Sequence, residues 1–320
     1  MNDIWKGKRV LVTGGDGFIG SHLTEYLIKK GAKVSLYAQE KANFGAVQCK
    51  LKNVLHLKDK FEQILTGDIS DKDSISLIKK NKPEVIFHLA AKAYVNYSFD
   101  HPYEVMQTNV VGTLNVLEAV RMSETIKRVV CTSSSEIYGT AQYSPIDEKH
   151  PLNPSTPYAA SKVAADRYCY SYINTYGLPI AVIRPFNTFG PRHTYDVIPK
   201  FINLAVKNEP LTIYGDGEQQ RDFLYVQDAV KGFEIMGSHK NAIGKFVNFA
   251  SGKAYTIKYV AKKIVELSGS KSKIVHVDKR LGEVDKLIGN YSLAKKLFGW
   301  EPKVPFEEGL KLNIEYVKNG

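Results

Sequence analysis

Cysteine is scarce in this chain of 320 residues, and long apolar runs are missing. The three cysteines, Cys49, Cys131 and Cys169, are odd in number, far apart and without a CxxC pair. That excludes a disulfide framework and a thiolate zinc site, and it leaves them as reduced packing residues. No metal centre is expected. No stretch approaches the roughly 20 apolar residues that span a bilayer, and the opening MNDIWKGKRV lacks an apolar signal core. A cytoplasmic protein with no membrane partner is expected. Internal repeats, linkers and low-complexity tracts are also missing.

What is present is a globular composition, 43% hydrophobic and 24% charged, with length enough for one large core and a smaller lobe. The formal charge is +11, but Lys and Arg are spread along the chain without a basic block or a nucleic-acid module. They read as solvated faces whose positive field suits a diphosphate, not as a nucleic-acid surface.

The most informative stretch is KRVLVTGGDGFIGSHL at residues 8–23. Val10, Leu11 and Val12 form a strand, Gly14, Gly17 and Gly20 follow at three-residue spacing, and Leu23, Tyr26 and Leu27 continue at helical spacing. A strand entering a glycine turn and then a helix leaves N–H groups pointing from the helix N-terminus, with the positive end of its dipole behind them. That arrangement seats a pyrophosphate. Side chains at Gly14 or Gly17 would hold phosphates off the backbone, and one at Gly20 would hold the helix off the sheet.

Strands are expected at 33–38, 61–69, 85–91 and 128–132, and helices at 71–80 and 109–120, with a short helix over 50–60. This alternation predicts an α/β fold, a Rossmann-type doubly wound parallel sheet with a smaller C-terminal α/β substrate lobe. We assign 1–186 to the nucleotide-binding domain, with return segments at about 226–250, and most of 187–320 to the substrate lobe. At the end of the second strand the acidic residue that would bind an adenosine ribose is missing, since Ala38 stands there. Glu40 can substitute for it, and Lys41 would instead suit a 2′-phosphate, so NAD is favoured and NADP stays open. Asp68 and Ile69 suit an adenine, and the small Ala90 and Ala91 let a cofactor lie close. His88, inside an apolar run, reads as a core histidine.

Tyr158 and Lys162 are four apart in a helical segment and share one face. A tyrosine with a pKa near 10 needs about 4 kcal/mol of differential stabilisation to act as a base at neutral pH, and an adjacent ammonium favours its phenolate. Upstream, Ser133, Ser134, Ser135 and Glu136 follow a strand end.

In these pieces the chain resembles the extended short-chain dehydrogenase/reductases, in the nucleotide-sugar epimerase and dehydratase branch. The resemblance is carried by TGGDGFIGSHL, GDI at Gly67, HLAA at His88, NVVGTLNVLEA, SSSEIYG, YAASK, RPFNTFGPR, YGDGEQQRDFLYVQD and LFGWEPK, across nearly the whole length. It implies Tyr158 as the base at the sugar C4 hydroxyl and Lys162 as its electrostatic partner. The cofactor set it implies is Gly14, Gly17, Phe18, Ile19, Gly20, Asp68, Ile69, Leu89, Ala90, Ala91 and Pro185, with Tyr158 and Lys162. For a UDP- or GDP-linked sugar it implies Ser134, Glu136, Asn187, Arg221 and Arg280, and for assembly a homodimer built on the helices after Asn109 and around Tyr158.

Glu136 distinguishes branches. Simple 4-epimerases generally lack it, whereas a base there can remove the C5 proton that C4 oxidation makes acidic. SSSEIYG resembles the GDP-mannose 4,6-dehydratase pattern, with Ser135 where the dTDP-glucose enzymes have an aspartate. The wider stretch resembles the N-acetylglucosamine nucleotide 4,6-dehydratases of legionaminic acid synthesis. A nucleotide-sugar 4,6-dehydratase is expected; a 4-epimerase, a UDP-glucuronate decarboxylase and a cofactor-sensing binding protein are the alternatives.

Overall fold

Strand and helix alternate from Arg9 onward in the computed structural model, which describes residues 4–39, 51–279 and 284–319. In order come β1 (Arg9–Thr13), α1 (Phe18–Lys29), β2 (Lys33–Ala38), β3 (Gln63–Thr66), α2 (Asp73–Asn81) and β4 (Val85–His88). Two short helices, α3 (Tyr97–Asp100) and α4 (Pro102–Met106), lead through a π-helical turn at Gln107–Val111 to α5 (Gly112–Arg121) and β5 (Arg128–Thr132). After a 3-10 turn at Ser135–Tyr138 follow α6 (Pro157–Tyr176), β6 (Ile180–Pro185), β7 (Thr188–Phe189), α7 (Val197–Val206) and β8 (Leu211–Tyr214). Then come β9 (Gln220–Arg221), β10 (Leu224–Tyr225), α8 (Val226–Ser238), β11 (Phe246–Phe249), β12 (Tyr255–Thr256) and α9 (Ile257–Ser268). The chain ends with β13 (Ile274–Val277), β14 (Lys286–Leu287), α10 (Ser292–Phe298) and α11 (Phe306–Asn319).

Seven strands form one sheet in the order β11-β6-β5-β4-β1-β2-β3. Its pairs from β6 to β3 are parallel, as expected for a doubly wound fold. The strand order reverses between β1 and β4, where Thr13 stands opposite His88, and sheets of this kind bind ligands at the carboxyl ends flanking such a reversal. Three smaller sheets, β12-β9-β14, β13-β8 and β10-β7, accompany the later helices.

By packing, the chain divides into two units, 1–134 with 156–183 and 230–246, and 135–155 with 184–229 and 247–320. In the first, Val116, Leu117 and Val120 of α5 and Ile78 of α2 pack on Leu11, Ile86 and Val129 of the strands. Each such side chain contributes roughly 1.5–3 kcal/mol. Leu36 and Ala38 of β2 pack with Val54 and Leu57, from a 3-10 helix at Lys52–Lys60 where a short helix is expected. The core of the second unit is aromatic. Phe306 lies 5.4 Å from Phe189 and from Phe223, and 4.2 Å from Tyr255. Cys131 and Cys169 are buried free thiols, and Cys49 lies outside the described residues. No described helix is long and apolar enough to cross a membrane, and no described cluster could hold a metal.

His88 is the core residue its surroundings predict. It is 3% exposed, with Nδ1 2.8 Å from Thr13 Oγ1 and Nε2 3.1 Å from Thr113 Oγ1. Thr113 gives its own proton to the Asn109 carbonyl, and Thr13 accepts from the Ala90 N–H, so the chain is satisfied only with the proton on Nε2. Burial, reinforced by the nearby Lys162, pulls the ring down to about 3. The native state therefore refuses a proton that the unfolded chain accepts near pH 6.5, and stability falls as pH drops through that window towards 3. Between pH 6.5 and 5 wild type should lose about 1.5 kcal/mol more than His88→Gln, measured by urea unfolding at both pH values. Equal losses would show that native His88 takes up its proton over the same pH range as the unfolded chain.

Candidate functional site

The glycine turn places its three residues differently. Gly14 has φ +67°, and a Cβ there would stand 2.8 Å from the Ala90 backbone, so the turn after β1 presses against the chain leaving β4. Gly17 caps α1 in an extended conformation with no side-chain hydrogen bond and no acidic residue in the first turn. The N–H donors at Phe18, Ile19 and Gly20 thus meet no competing side-chain acceptor at the cap, which is what an anion seat requires. At Gly20 a Cβ would overlap the Gly14 carbonyl oxygen, so this glycine lets the helix approach its own turn, not the sheet as expected. The turn therefore fits a dinucleotide diphosphate.

Leu89 extends β4 by donating its N–H to Thr13, and Ala90 and Ala91 are partly buried beyond it. Asp68 accepts from Gln39 Nε2 and, through Oδ1, from the Ser70 N–H and hydroxyl. Ile69 is buried, and its carbonyl is held by Ser74 and Asn115. Glu40, Lys41 and Arg280 lie outside the described residues.

Tyr158 and Lys162 sit in the first turns of α6, which starts at a capping Thr156, whose hydroxyl accepts from Ala159, and at Pro157. Both are buried, at 7% and 6% exposure. Lys162 Nζ donates to the Thr132 carbonyl at 2.7 Å. Burial lowers this ammonium to about 8, against the pull of Cys131, Cys169 and Asp166. The Tyr158 turn is pinned from below, because Ser161 donates to the Tyr158 carbonyl at 2.7 Å and receives the Asn109 amide at 2.9 Å. Asn109 also takes the Lys92 N–H and donates to the Lys92 carbonyl. Asn109 lies in the π-helical turn, an irregularity often found at functional sites. In the sequence it reads as one more helical residue, because its π-turn leaves no mark on the apolar spacing. Ser133 and Ser134 are buried at the end of β5, and Ser133 Oγ has no hydrogen-bond partner.

In the second unit the 3-10 turn carrying Ser135 and Glu136 is anchored by Tyr138, whose hydroxyl donates to Asn248 at 2.7 Å and accepts from Arg184 at 2.9 Å. Glu136 is partly exposed, and desolvation raises its pKa, opposed by Arg221 and aided by Asp196. Arg221 ends β9, between β12 and β14. The Asn187 amide donates to the Asp222 carbonyl at 3.0 Å, which ties Asn187 to the residue that follows Arg221. Asp222 itself is fully buried, and its carboxylate accepts the N–H groups of Ser251, Gly252 and Gly289. Burial pushes it up to about 6. The sequence pattern assigns Asp222 no role, because the N–H groups that its carboxylate accepts lie 29 to 67 residues further along the chain. Pro185 ends β6.

A family model described as GDP-mannose 4,6 dehydratase matches residues 11–312. A putative UDP-glucose 4-epimerase of Methanocaldococcus jannaschii is 34% identical over 314 residues, covering 97% of this chain and 98% of that protein. UDP-glucuronic acid decarboxylase 1 of Xenopus tropicalis is 35% identical over 323 residues, covering 97% of this chain and 72% of that one. Among solved structures, a dTDP-glucose 4,6-dehydratase of Bacillus anthracis in complex with NAD is similar with a TM-score of 0.87 and 30% identity, covering 98% of this chain and 97% of that chain.

The glycine turn yields a paired test. Gly20→Ala should cost about 2–4 kcal/mol, because backbone must move, whereas Gly17→Ala, whose Cβ would stand 3.2 Å from the Gly14 oxygen, should cost under about 1 kcal/mol. Urea unfolding of both variants checks this, and equal costs would contradict the packing described.

Proposed function

Given that this chain belongs to the NAD-dependent epimerase/dehydratase family of extended short-chain dehydrogenase/reductases, we propose that it is a 4,6-dehydratase of a UDP- or GDP-linked hexose, N-acetylglucosamine first. At the coarser level it is a nucleotide-sugar enzyme that uses NAD. Glu136 carries the finer reading. A carboxyl whose pKa is raised by burial is suited both to take a proton and to give it back within one turnover.

Gly14, Gly17, Phe18, Ile19 and Gly20 hold the cofactor diphosphate, while Asp68, Ile69, Leu89, Ala90, Ala91 and Pro185 border the rest of it. The bound nicotinamide supplies a reversible hydride acceptor. Tyr158 takes the C4 hydroxyl proton, and the buried Lys162 ammonium stabilises the phenolate. Ser134 hydrogen-bonds the C4 oxygen. Glu136 then removes the C5 proton, now acidic beside the C4 ketone, and delivers it to the C6 hydroxyl, which departs as water. Ser135 stands where a separate acid would be, so one carboxyl carries that proton from C5 to C6. With the hydride that the bound cofactor would return to C6, C5 would be reprotonated at the expense of the proton Tyr158 took from the C4 hydroxyl, so the net change would be loss of one water. Arg221 and Asn187, the latter held by the Asp222 carbonyl, grip the substrate diphosphate, with Arg280 as a second cation.

Assembly follows from a stripe on the first unit. Tyr103 (81% exposed) and Met106 (40%) continue into Val110 and Leu114 at three- and four-residue steps, beside α6 with Tyr170 at 53%. We assign this stripe to a homodimer. Tyr103→Glu with Met106→Glu should convert dimer to monomer in analytical ultracentrifugation, and an unchanged mass would contradict the assignment.

Mass spectrometry after incubation with UDP-N-acetylglucosamine, its GDP counterpart, GDP-mannose and UDP-glucuronate separates the chemistries. Loss of water is expected; an unchanged mass with an inverted C4 would make the enzyme an epimerase, and loss of carbon dioxide a decarboxylase. Tyr158→Phe should lower kcat by about 100-fold or more. Glu136→Gln should stop water release while reduced cofactor still accumulates, seen by its near-ultraviolet absorbance. Full activity in Glu136→Gln would overturn the dehydratase reading.

A further inference from the structure

The positive charge that looks dispersed in sequence is gathered by the fold. Six of the seven strands of the large sheet begin at or shortly after an exposed lysine: Lys6, Lys33, Lys60, Lys82, Lys127 and Lys245. Backbone hydrogen bonds hold these entries side by side. Lys33 N–H reaches the Lys8 carbonyl, Glu84 reaches Arg9, and Lys127 reaches Glu84, at 2.8–2.9 Å. β11 runs with β6, since Gly244 pairs with Ile180, Val182 with Lys245 and Phe186 with Phe249, so its lysine lies on the same edge. Residues 5–9, 29–33, 58–62, 79–84, 121–127 and 239–245 hold fifteen Lys and Arg against four Asp and Glu, and with Glu25 and Glu118, which pair with Lys29 and Arg121, the surplus is nine of the formal +11.

Helix dipoles explain only part of this. Lys29, Lys79 and Lys80 occupy last helical turns, where a cation is favourable, but Lys6, Lys33, Lys127 and Lys245 do not. Three aliphatic side chains also protrude from this basic edge, Ile4 at 47%, Met122 at 46% and Ile243 at 44% exposure. Such side chains gain nothing against a phosphodiester backbone but can enter the headgroup layer of a bilayer, where a basic surface is also attracted.

We propose that the amino-terminal edge of the large sheet is a peripheral docking surface for an anionic lipid bilayer. Within the first unit it lies at the strand ends opposite those that carry the glycine turn, Ser133 and Ser134. The inference is independent of which nucleotide-sugar reaction the enzyme performs, and it revises the expectation of no membrane partner for the surface of the bilayer, not its interior.

The test is flotation of the full chain with vesicles of phosphatidylglycerol in phosphatidylcholine. At about 0.1 M salt the protein should float with anionic vesicles and not with pure phosphatidylcholine, and about 1 M salt should release it. Lys33→Glu with Lys80→Glu and Lys240→Glu should lower binding at least about tenfold with turnover unchanged. Ile4→Ser with Ile243→Ser should lower it by about threefold without altering retention on duplex DNA. Failure to float with anionic vesicles, undiminished binding by the charge-reversed variant, or tighter binding to duplex DNA than to vesicles would each overturn the proposal.

Discussion

A buried ammonium organises the first unit. Lys162 lies at 6% exposure with Nζ 2.7 Å from the Thr132 carbonyl, and burial lowers it to about 8. Burial, reinforced by this ammonium, keeps His88 neutral, which in turn fixes the hydroxyls of Thr13 and Thr113. Keeping that charge dry costs on the order of 3 kcal/mol, and the surrounding structure offsets it with hydrogen bonds that leave little freedom. The same chain of bonds passes from Thr113 to Asn109 and on to Ser161 and the Tyr158 carbonyl. A tyrosine held this way has its backbone position set before any ligand arrives, which is the preorganisation that acid-base chemistry needs.

The second unit repeats the device with opposite sign. Asp222 is a fully buried carboxylate that ties Ser251, Gly252 and Gly289 together, and its own carbonyl holds Asn187. Tyr138, Asn248 and Arg184 likewise fasten the turn that bears Glu136. Groups proposed to meet substrate are thus carried on short, irregular segments, each fixed by a buried polar partner instead of by a long helix or strand.

Much of this was legible in the chain. The strand-glycine-helix signal at 8–23, the apolar strands and the four-residue step from Tyr158 to Lys162 reflect local rules, and local rules survive folding. Element ends were less legible. The apolar run 85–91 reads as one strand, but the ladder ends at His88, because Ala90 turns to meet Gly14. The segment 109–120 is helical as expected, but its first residues are π-helical and the α-helix proper begins at Gly112, with Asn109 bound to Lys92 and Ser161. Asp222 and the basic sheet edge depend on residues far apart in sequence, and no window of neighbouring positions could show them. Glu136 was legible as a residue, while the burial that raises its pKa was not.

The central claim is that one hydride leaves and re-enters the same sugar at different carbons while Glu136 moves a proton between C5 and C6. Turnover of a nucleotide sugar deuterated at C4, with the product read by NMR, tests it most directly. The label is expected to move from C4 to the new C6 methyl group, within the same sugar molecule. A label that stays at C4, or a product without a methyl group, would contradict it.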